Sequence, residues 1–514
     1  MKKKVIAILL CAVMLCTVFA ACGKKEEAKN VELNILTNLG NTGTVLTFDP
    51  GVYNQGTASL SRGITETLFE LNEDQSDVEG VLATDYRKID DLTWEIILRD
   101  GVKFSNGKSL SADDVKRCLE YETANNTYIK NMLDLDYIEA NGLLLTIHTN
   151  NPVAILPKVL TNGATLIFDP DEMDDIVNHI IGTGAYILES KDGDGNCELI
   201  RNENYWRGTP IAERIHAKCG LDAGAVTNAL QTGEILWGGI SSSDLSIFQD
   251  NPDYQVTSTN NGRVYYLYVN KNYTYTQDPA IREALQYAFD REKILKGVYN
   301  GAGSVTNSIF PDWSAFHQDN PTEGYNVDKA KSILADAGYT NKDADGYLLD
   351  KDGQRIKLNI TTYSSNTFPT LCETLQQMLK AIGIDSEIYT SGAIVDDLSK
   401  GQFNIATYGY TTLTLGDCYN YLDPVYRTGG QSNFVGYSDP EVDAWLEELK
   451  GTFDPAERAA LAKKIQDHIY AAHEHIYLMH TISYTAVRSE VTTSVPVFGT
   501  SKSTGMYLWS IGLK

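Results

Sequence analysis

The sequence predicts an α/β protein built from more than one lobe. Two observations support this fold class: segments with the period-two alternation of strands take turns with segments of helical periodicity, and no internal repeat or low-complexity segment interrupts them. The length adds a third. About 490 of the 514 residues follow an N-terminal leader, which is more than one ordinary hydrophobic core organises.

The first residues have the pattern of an exported protein. Three lysines precede an apolar stretch of about 15 residues (5–19), which is too short to span a bilayer and has the proportions of a secretory signal. Two alanines then precede Cys22, an order that resembles a bacterial lipoprotein signal. We therefore expect a signal peptide at 1–21, a lipid anchor on Cys22 and a polar tether at 22–30. An ordinary cleaved signal with a coincidental cysteine is the alternative.

The N-terminal half contains two strand signals and one capped helix. VELNILTN (31–38) alternates apolar and polar residues, as a strand does. LTWEIILRDGVKF (92–104) is a second strand, ended by an Asp-Gly turn. Ser111 and Asp114 then form an S-x-x-D capping box, because both side chains satisfy free backbone N–H groups where a helix begins.

The C-terminal half carries further helix signals. Asp278 followed by proline begins one helix, with a capping carboxylate before proline at the first helical position. Asn326 caps a short helix that ends at Gly338. Two strand-like runs joined by the Asp-Gly turn at 352–353 predict a hairpin. The last long helix runs from about Pro455 to Ala472 with one apolar face.

The chain is predicted to cross between two lobes twice. The first crossing is placed near 262–270, where GRVYYLYVN precedes a helix, and the return is placed near 480–490. Two crossings that run side by side would form a hinge.

Bulk composition narrows the function classes. The net charge of −25 argues against nucleic acid, because affinity for nucleic acid depends on Lys and Arg that neutralise phosphates. The 30 tyrosines, against 14 phenylalanines, suit ligand recognition as well as hydrophobic cores. The hydrolase motifs GxSxG and HExxH do not occur in the sequence. An extracellular hydrolase is therefore only a remote alternative.

Five cysteines remain after the leader and the anchor: Cys118, Cys197, Cys219, Cys372 and Cys418. An odd number leaves at least one unpaired. Cys197 and Cys219 lie symmetrically about a turn-like RGTP at 207–210, so they are the candidate disulfide of an exported protein.

Several ordered motifs resemble the bacterial family 5 extracellular solute-binding proteins, the dipeptide, oligopeptide and nickel group. WEIILRDGVKFSNGKSLSADDVKRCLEY (94–121) resembles the signature block of the family, and RNENYWRGTP (201–210) is similar to its RN-x-x-YW segment. The likeness covers about residues 32 to 514 in family order. The other similar segments are 64–72, 182–189, 281–303, 326–339, 379–388, 436–448 and 456–480.

The resemblance implies a two-lobed Venus-flytrap protein with the periplasmic-binding-protein type II fold, in a large variant with an extra subdomain. It also implies a protein without enzymatic activity. It assigns 31–65, 179–265 and 487–514 to lobe I, 66–178 to an inserted subdomain of lobe I, and 266–486 to lobe II. Such a protein captures a solute between its lobes, and closure draws on an existing open–closed equilibrium.

The same resemblance implies partners and location. The solute would pass to an ABC permease served by ATPase subunits, with the protein lipid-anchored at the outer face of the cell membrane. No cofactor is expected, and a monomer is expected.

The resemblance places the ligand contacts in variable segments that face the cleft, and not in the signature motifs. The candidates are Tyr53, Asn54, Trp313, Tyr408, Tyr410, Asp417 and Arg427. In peptide-binding relatives a carboxylate in the last of these segments pairs with the α-ammonium of the ligand. The equivalent position here is Leu413 or Thr414, so Asp417 or Asp423 would have to substitute.

The expected ligand is a di- or oligopeptide, and two alternatives stay open. An aromatic, weakly charged pocket also suits an oligosaccharide, and a nickel or other metal chelate is the third candidate. Because no histidine occurs between His317 and His468, nickel is the weaker interpretation. His473, His475 and His480 lie where the family has scaffold, so we predict no metal site there.

Overall fold

A computed structural model describes residues 31–514 apart from 38–45, 53–55, 261, 322–323, 365–366 and 501. The described chain is a mixed α/β structure, as the sequence predicts. Within these ranges, none of the helices is long and apolar enough to cross a membrane.

The strands of the described chain fall into six sheets. In chain order they are β1 (Glu32–Leu36), β2 (Phe69–Leu71), β3 (Val78–Gly80), β4 (Ala83–Lys88), β5 (Thr93–Leu98), β6 (Leu135–Asn141), β7 (Leu144–Thr149), β8 (Tyr186–Lys191), β9 (Cys197–Arg201), β10 (Arg214–Lys218), β11 (Trp237–Ile240), β12 (Tyr254–Thr259), β13 (Arg263–Val269), β14 (Gly303–Val305), β15 (Lys357–Tyr363), β16 (Asp385–Ser391), β17 (Ile405–Thr411), β18 (His475–Thr481), β19 (Ser483–Arg488), β20 (Val491–Thr493) and β21 (Ile511–Leu513).

The helices lie between and over these strands. In chain order they are α1 (Thr57–Ser61), α2 (Ala112–Asn125), α3 (Thr127–Leu133), α4 (Leu156–Val159), α5 (Ala223–Thr232), α6 (Leu245–Phe248), α7 (Pro279–Ala288), α8 (Arg291–Val298), α9 (Val327–Asp336), α10 (Phe368–Ala381), α11 (Ile394–Ser399), α12 (Tyr419–Tyr426), α13 (Pro440–Gly451) and α14 (Pro455–Tyr470). Short 3₁₀ turns occupy Thr414–Gly416 and Thr504–Ser510.

Local sequence signals placed several elements correctly. Ser111 and Asp114 form the predicted capping box: Ser111 Oγ accepts from Asp114 N at 3.3 Å, and Asp114 Oδ2 accepts from Ser111 N at 3.0 Å. Asp278 caps α7 by accepting from Ala280 N at 2.9 Å. Asn326 caps α9 by accepting from Lys329 N at 2.9 Å.

The hairpin predicted around 352–353 forms, but it is short. Gly353 N donates to Asp350 O at 3.0 Å, Leu349 forms an antiparallel bridge with Arg355, and Ile356 N donates to Leu348 O at 2.9 Å. The second run becomes β15, which pairs in parallel with β16 and β17. The hairpin therefore ends where β15 begins, and from Lys357 onward the second run pairs with β16 and, at Ile360 and Thr361, with β17.

One side of the molecule carries three of the sheets. One has the order β1-β10-β9-β8, a second the order β11-β19-β12, and a third the order β4-β5-β7-β6. We call this side the first lobe. Its large core joins buried residues of the N-terminal strands, α2 to α4 and the C-terminal segment 497–511.

The second lobe is built on a six-stranded sheet with the order β14-β18-β13-β17-β15-β16. One face of this sheet packs on α7 to α10 through aliphatic side chains. The other face packs on α12 to α14 through a tyrosine cluster. That cluster contains Tyr266, Tyr268, Tyr408, Tyr410, Tyr421, Tyr426 and Tyr477.

The chain passes between the two lobes at the ends of four strands. β12 of the first lobe ends at Thr259, and β13 of the second begins at Arg263. β18 ends at Thr481, and β19 begins at Ser483. All of β13 belongs to the six-stranded sheet, and all of β19 to the three-stranded sheet. The division into two lobe ranges and an inserted subdomain stays a prediction.

Candidate functional site

The two crossings between the lobes run side by side. On the first-lobe side Thr259 is paired with Ser483, and on the second-lobe side Val264 is paired with His480. Because the two connections are adjacent, they act as a hinge, and the lobes rotate relative to each other most easily about the line along which the connections lie.

A cavity of about 320 Å³ lies on the first-lobe side of these crossings. This volume is at the lower end of the range for small-ligand sites, roughly 300–1,000 Å³. Its walls are the end of β1, the start of β11, one residue each of β12 and β19, and the C-terminal segment. The principal lining residues are Leu36, Thr37, Ser61, Trp237, Gly238, Gly239, Thr259, Thr485, Phe498, Gly499, Thr500, Lys502, Ser503, Thr504 and Gly505.

Hydroxyl groups, glycine backbone and two aromatic rings dominate this lining. A hydroxyl both donates and accepts hydrogen bonds, and glycine exposes its backbone N–H and C=O. The rings of Trp237 and Phe498 meet edge to face, with centroids 5.4 Å apart. The lining therefore suits an uncharged ligand group that both donates and accepts hydrogen bonds.

Lys502 is the one charged side chain among the described lining residues, and it is neutralised within the protein. Its Nζ contacts Glu79 Oε2 at 3.0 Å, Glu70 Oε1 at 3.5 Å and Tyr507 Oη at 3.2 Å. Burial disfavours the ammonium, but these neighbours raise the pKa of Lys502 overall. Since an ammonium has three N–H donors, this one is fully occupied.

The second lobe presents the ends of β13, β15 and β17 beside the crossings. Arg263 is paired with Thr411, and its Nη2 donates to Gly409 O at 3.1 Å. The guanidinium lies 5.7 Å from the ring centroid of Tyr265. Burial raises the pKa of the nearby Tyr363 hydroxyl, so this phenol stays neutral at physiological pH.

The structure brings two of the predicted ligand residues together on β17. Tyr408 and Tyr410 are half-buried, and both rings join the tyrosine cluster of the second lobe. Tyr410 packs on Tyr421 at 5.1 Å, and Tyr408 packs on Tyr268 at 5.5 Å between ring centroids. Tyr53 and Asn54 lie outside the described residues.

The indole of Trp313 is on the surface. It follows Pro311 in the segment between β14 and α9, and the residue is 42% exposed. A large exposed indole is available to a ligand.

Asp417 and Arg427 are committed to other protein groups. Asp417 is 1% exposed, and Arg458 bridges both of its carboxylate oxygens at 2.7 Å. Burial opposes ionisation, but Arg458 holds the pKa of Asp417 below its usual value. Arg427 pairs with Asp423 at 2.5 Å and Glu447 at 3.4 Å. The structure thus places Asp417 in a buried ion pair and not in the lining of the cavity.

The candidate disulfide is absent from this structure. Cys197 and Cys219 are both buried free thiols. The Sγ of Cys197 lies 3.5 Å from Gly195 O, and the Sγ of Cys219 lies 3.2 Å from Asp194 O. Cys22, the predicted lipidation site, lies outside the described residues.

Of the three histidines that follow the C-terminal helix, His475 and His480 are buried and neutral, whereas His473 is half-buried, with a pKa that burial also lowers. Burial lowers the pKa of His475 to about 3 and that of His480 to about 4. In the described part of the chain, two other groups bring three metal-type donors together. These groups are Asp439, Glu441 and His468, and Asp114, Asp169 and Asp171, the second of which is bridged by the Lys108 ammonium. Neither group lines the cavity.

Sequence reasoning missed the lining segment 497–505 and the partner of Asp417. Threonines, serines and glycines near a C-terminus carry no motif that distinguishes a cavity wall from a loop. Arg458 did carry a signal, because it shares a helix face with the buried Leu461 and Ile465. An arginine on an apolar helix face indicates a buried partner.

Comparison with known sequences settles the family. The profile of the bacterial extracellular solute-binding proteins, family 5 (middle region), matches residues 77–433, more than half of the chain. The chain belongs to this family. It is therefore a substrate-binding protein of an ABC importer, as its motifs indicate.

Named relatives differ in what they bind. The nickel-binding protein NikA of Staphylococcus aureus is 26% identical over 475 residues, 90% of each chain. The oligopeptide-binding protein AppA of Bacillus subtilis is 25% identical over 473 residues, 85% of this chain and 86% of AppA.

Solved structures confirm the type II periplasmic-binding-protein fold. Staphylococcus aureus NikA with Ni(L-His)2 has a TM-score of 0.77 at 24% identity, covering 94% of this chain and 100% of NikA. A nickel ABC transporter structure from Bacillus halodurans has a TM-score of 0.76 at 28% identity, with the same coverage.

Proposed function

We propose that this protein is the lipid-anchored receptor of an ABC importer for short peptides, bound in the cavity beside the lobe crossings. The observation that carries the proposal is the lining of that cavity, which offers hydroxyls and backbone groups and no unpaired charge. Each peptide unit presents one donor and one acceptor, which is the pattern that such a lining satisfies.

The volume favours a short ligand. About 320 Å³ on the first-lobe side accommodates part of a di- or tripeptide, with the remainder facing the second lobe. Tyr408, Tyr410 and Trp313 are the proposed contacts from the second lobe, with apolar ring faces for ligand side chains and hydroxyl or indole N–H groups for its backbone.

Recognition of the ligand termini differs from the expectation based on Asp417. Arg458 already occupies that carboxylate, and a second cation would gain little from a neutralised pair. A peptide whose ammonium reaches solvent, or whose N-terminus is blocked, should bind as well as a free one. We infer that affinity depends on the peptide backbone more than on its end charges.

A metal chelate is the second candidate, and the likeness to the nickel-binding NikA of Staphylococcus aureus favours it. The described lining contains no histidine, cysteine or carboxylate, so a metal ion bound there would have to bring its own chelator. A hydroxyl-rich lining also suits an oligosaccharide, which the same experiment tests.

A thermal-shift screen of the purified protein separates these ligand classes. Ligands that bind only the folded state raise the midpoint with RT ln(1 + [L]/Kd). The panel contains di- to hexapeptides, N-acetylated peptides, oligosaccharides, Ni²⁺ alone and Ni²⁺ with L-histidine. Short peptides, free and acetylated, are expected to shift the midpoint. A shift with only the nickel–histidine mixture or only a sugar would replace the peptide proposal.

Lipid anchoring is tested separately. We expect the wild-type protein to fractionate with membranes and the Cys22→Ala variant to be released, with mass spectrometry showing diacylglycerol on Cys22. If the wild-type protein carries no lipid, the N-terminal segment is an ordinary cleaved signal peptide and Cys22 is not an anchor.

A further inference from the structure

The two lobes meet at a second place, away from the covalent crossings. On the second lobe the contact is made by 413–417 and by 449–453, which we call the docking edge. Phe453 packs on Trp94 with ring centroids 6.2 Å apart. Ala154 N donates to Lys450 O at 3.4 Å, and Lys450 Nζ lies 3.3 Å from Asp134 Oδ2.

Lys158 of α4 forms the central polar contact of this interface. Its Nζ donates to Gln75 O at 3.2 Å in its own lobe and to Gly416 O at 2.9 Å in the other. Burial lowers the pKa of Lys158, and Asp417 behind the carbonyl opposes that shift. An ammonium held by carbonyl oxygens away from water forms a strong hydrogen bond that is costly to leave unmade.

Leu415 crosses the interface with its side chain. It is 8% exposed and belongs to the hydrophobic core of the first lobe, although its chain segment belongs to the second. Its φ is +59°, a left-handed conformation unfavourable for leucine. Such a conformation persists only where the surroundings impose it. Here the contacts of Leu415 with the core of the first lobe impose it.

The backbones of the two lobes touch beside Leu415. A Cβ on Gly416, whose φ is +61°, would lie 2.2 Å from Gln75 O, so only glycine allows this approach. Gln75 itself has a φ of +58°. The contact is therefore shaped from both sides, with the Lys158 ammonium between the two carbonyls.

One buried arginine organises both segments of the docking edge. Arg458 holds Asp417, next to Gly416, and its Nη1 also donates to Leu449 O and, at 3.1 Å, to Thr452 O. The segments 413–417 and 449–453 are thereby fixed relative to each other. They meet the first lobe as one rigid surface.

The position of this surface relative to the crossings gives it a role. Both crossings join the sheet β11-β19-β12, whereas the docking edge contacts residues between Gln75 and Lys158, which contribute no strand to that sheet. Rotation about the crossings must break the contact. We propose that the docking edge is a latch that holds the lobes closed, with Lys158 as its principal polar contact and Arg458 as its positioning residue. This holds whichever ligand the cavity takes.

Hydrogen exchange on the purified ligand-free protein tests the latch. The amide of Ala154 is protected by a bond across the interface, so its exchange reports opening. Lys158→Met keeps the length of the side chain but cannot donate, and we expect about tenfold faster exchange in peptides that contain Ala154. Lys400→Met is the matched control, since Lys400 pairs with Asp397 on the surface of the second lobe. It should leave that rate unchanged.

Two further measurements distinguish opening of the lobes from general unfolding. Amides inside the first lobe, such as Val81 N bonded to Leu68 O, should keep their rates in Lys158→Met. Small-angle scattering should give a larger radius of gyration for Lys158→Met than for Lys400→Met. Unchanged exchange at Ala154 would overturn the latch, as would equal acceleration at Val81, which indicates general unfolding instead of opening.

Discussion

The first-lobe cavity and the interior of the second lobe use polar side chains in opposite ways. The cavity presents hydroxyls and glycine backbone toward open space. In the second lobe the polar groups are buried and bond to each other, as Tyr266 does to Tyr268 and Arg458 does to Asp417. Buried groups that satisfy each other contribute to stability, whereas groups facing a cavity are available to a ligand. Changes to the buried, mutually bonded groups of the second lobe should therefore alter stability, and changes at the cavity should alter binding.

The largest expected effect is at the buried ion pair. Asp417→Asn leaves the Arg458 guanidinium without its charged partner, so we expect a loss of about 3–5 kcal/mol in the free energy of unfolding. Urea denaturation without ligand measures it. Asp423→Asn is the matched control, because the Asp423–Arg427 pair is partly exposed and should contribute about 0–1 kcal/mol. Equal, small losses in both variants would contradict a structural role for Asp417.

A side chain added inside the cavity should change binding and leave stability alone. Gly239 is exposed, and the nearest atom to its added Cβ would be Tyr484 O at 3.9 Å. Gly239→Leu should weaken peptide binding about 100-fold, or roughly 2.7 kcal/mol. Its free energy of unfolding should stay within about 0.5 kcal/mol. Gly193→Leu, at an open surface position, is the control. Undiminished binding in Gly239→Leu would place the ligand elsewhere.

A smaller effect is expected inside the tyrosine cluster. The Tyr268 hydroxyl accepts from Tyr266 at 2.8 Å and donates to Ser432 O at 3.1 Å. Tyr268→Phe should cost about 1 kcal/mol in stability because both bonds are lost. Peptide affinity should hardly change. Tyr325→Phe, at a residue 48% exposed, should be neutral. Lost affinity with unchanged stability in Tyr268→Phe would mean that the Tyr268 hydroxyl itself contacts ligand.

The smallest effect concerns an exposed sheet face of the first lobe. Burial opposes protonation of His216, but Glu198 and Glu32 raise its pKa overall. Because the pKa of His216 is higher in the folded protein, protonation of His216 stabilises the fold. This contribution is fully present at pH values below the pKa of the unfolded state, about 6.5, and is lost as the pH rises through the pKa of the folded state. Because the site is partly exposed, we expect about 0.5 kcal/mol at most. Unfolding of wild type and His216→Gln between pH 5 and 9 should converge at high pH. A stability difference between the two proteins that grows as the pH rises would mean that the pKa of His216 is lowered on folding.

Short-range signals carried much of the fold. The caps at Ser111, Asp278 and Asn326 were predictable, since each depends on residues within one helical turn. The hairpin at 352–353 shows the limit, because it is only a few residues long. Its second run continues as β15 and pairs with β16 and β17, which lie further along the chain and which no local pattern predicts.

The candidate site was less predictable than the fold. Asp417 was predicted to contact the ligand, but the structure pairs it with Arg458, which lies 41 residues further along the chain. The tyrosine excess suited ligand recognition as well as hydrophobic cores, and the structure places many of those rings in the core of the second lobe. The cavity wall at 497–505 becomes visible only when it meets β1 and β11 in space.

Photo-cross-linking with a short peptide shows directly which residues surround the bound ligand. A tripeptide with a diazirine side chain is irradiated with the purified protein, and the modified residues are identified by mass spectrometry. We predict labels on 237–239 and 497–505, reduced by unlabelled tripeptide and lost in Gly239→Leu. Labelling confined to another surface, such as the groove between Tyr347 and Lys380, would show that the peptide does not bind in the cavity. If unlabelled tripeptide does not reduce the labelling at any residue, the protein has no specific site for the peptide.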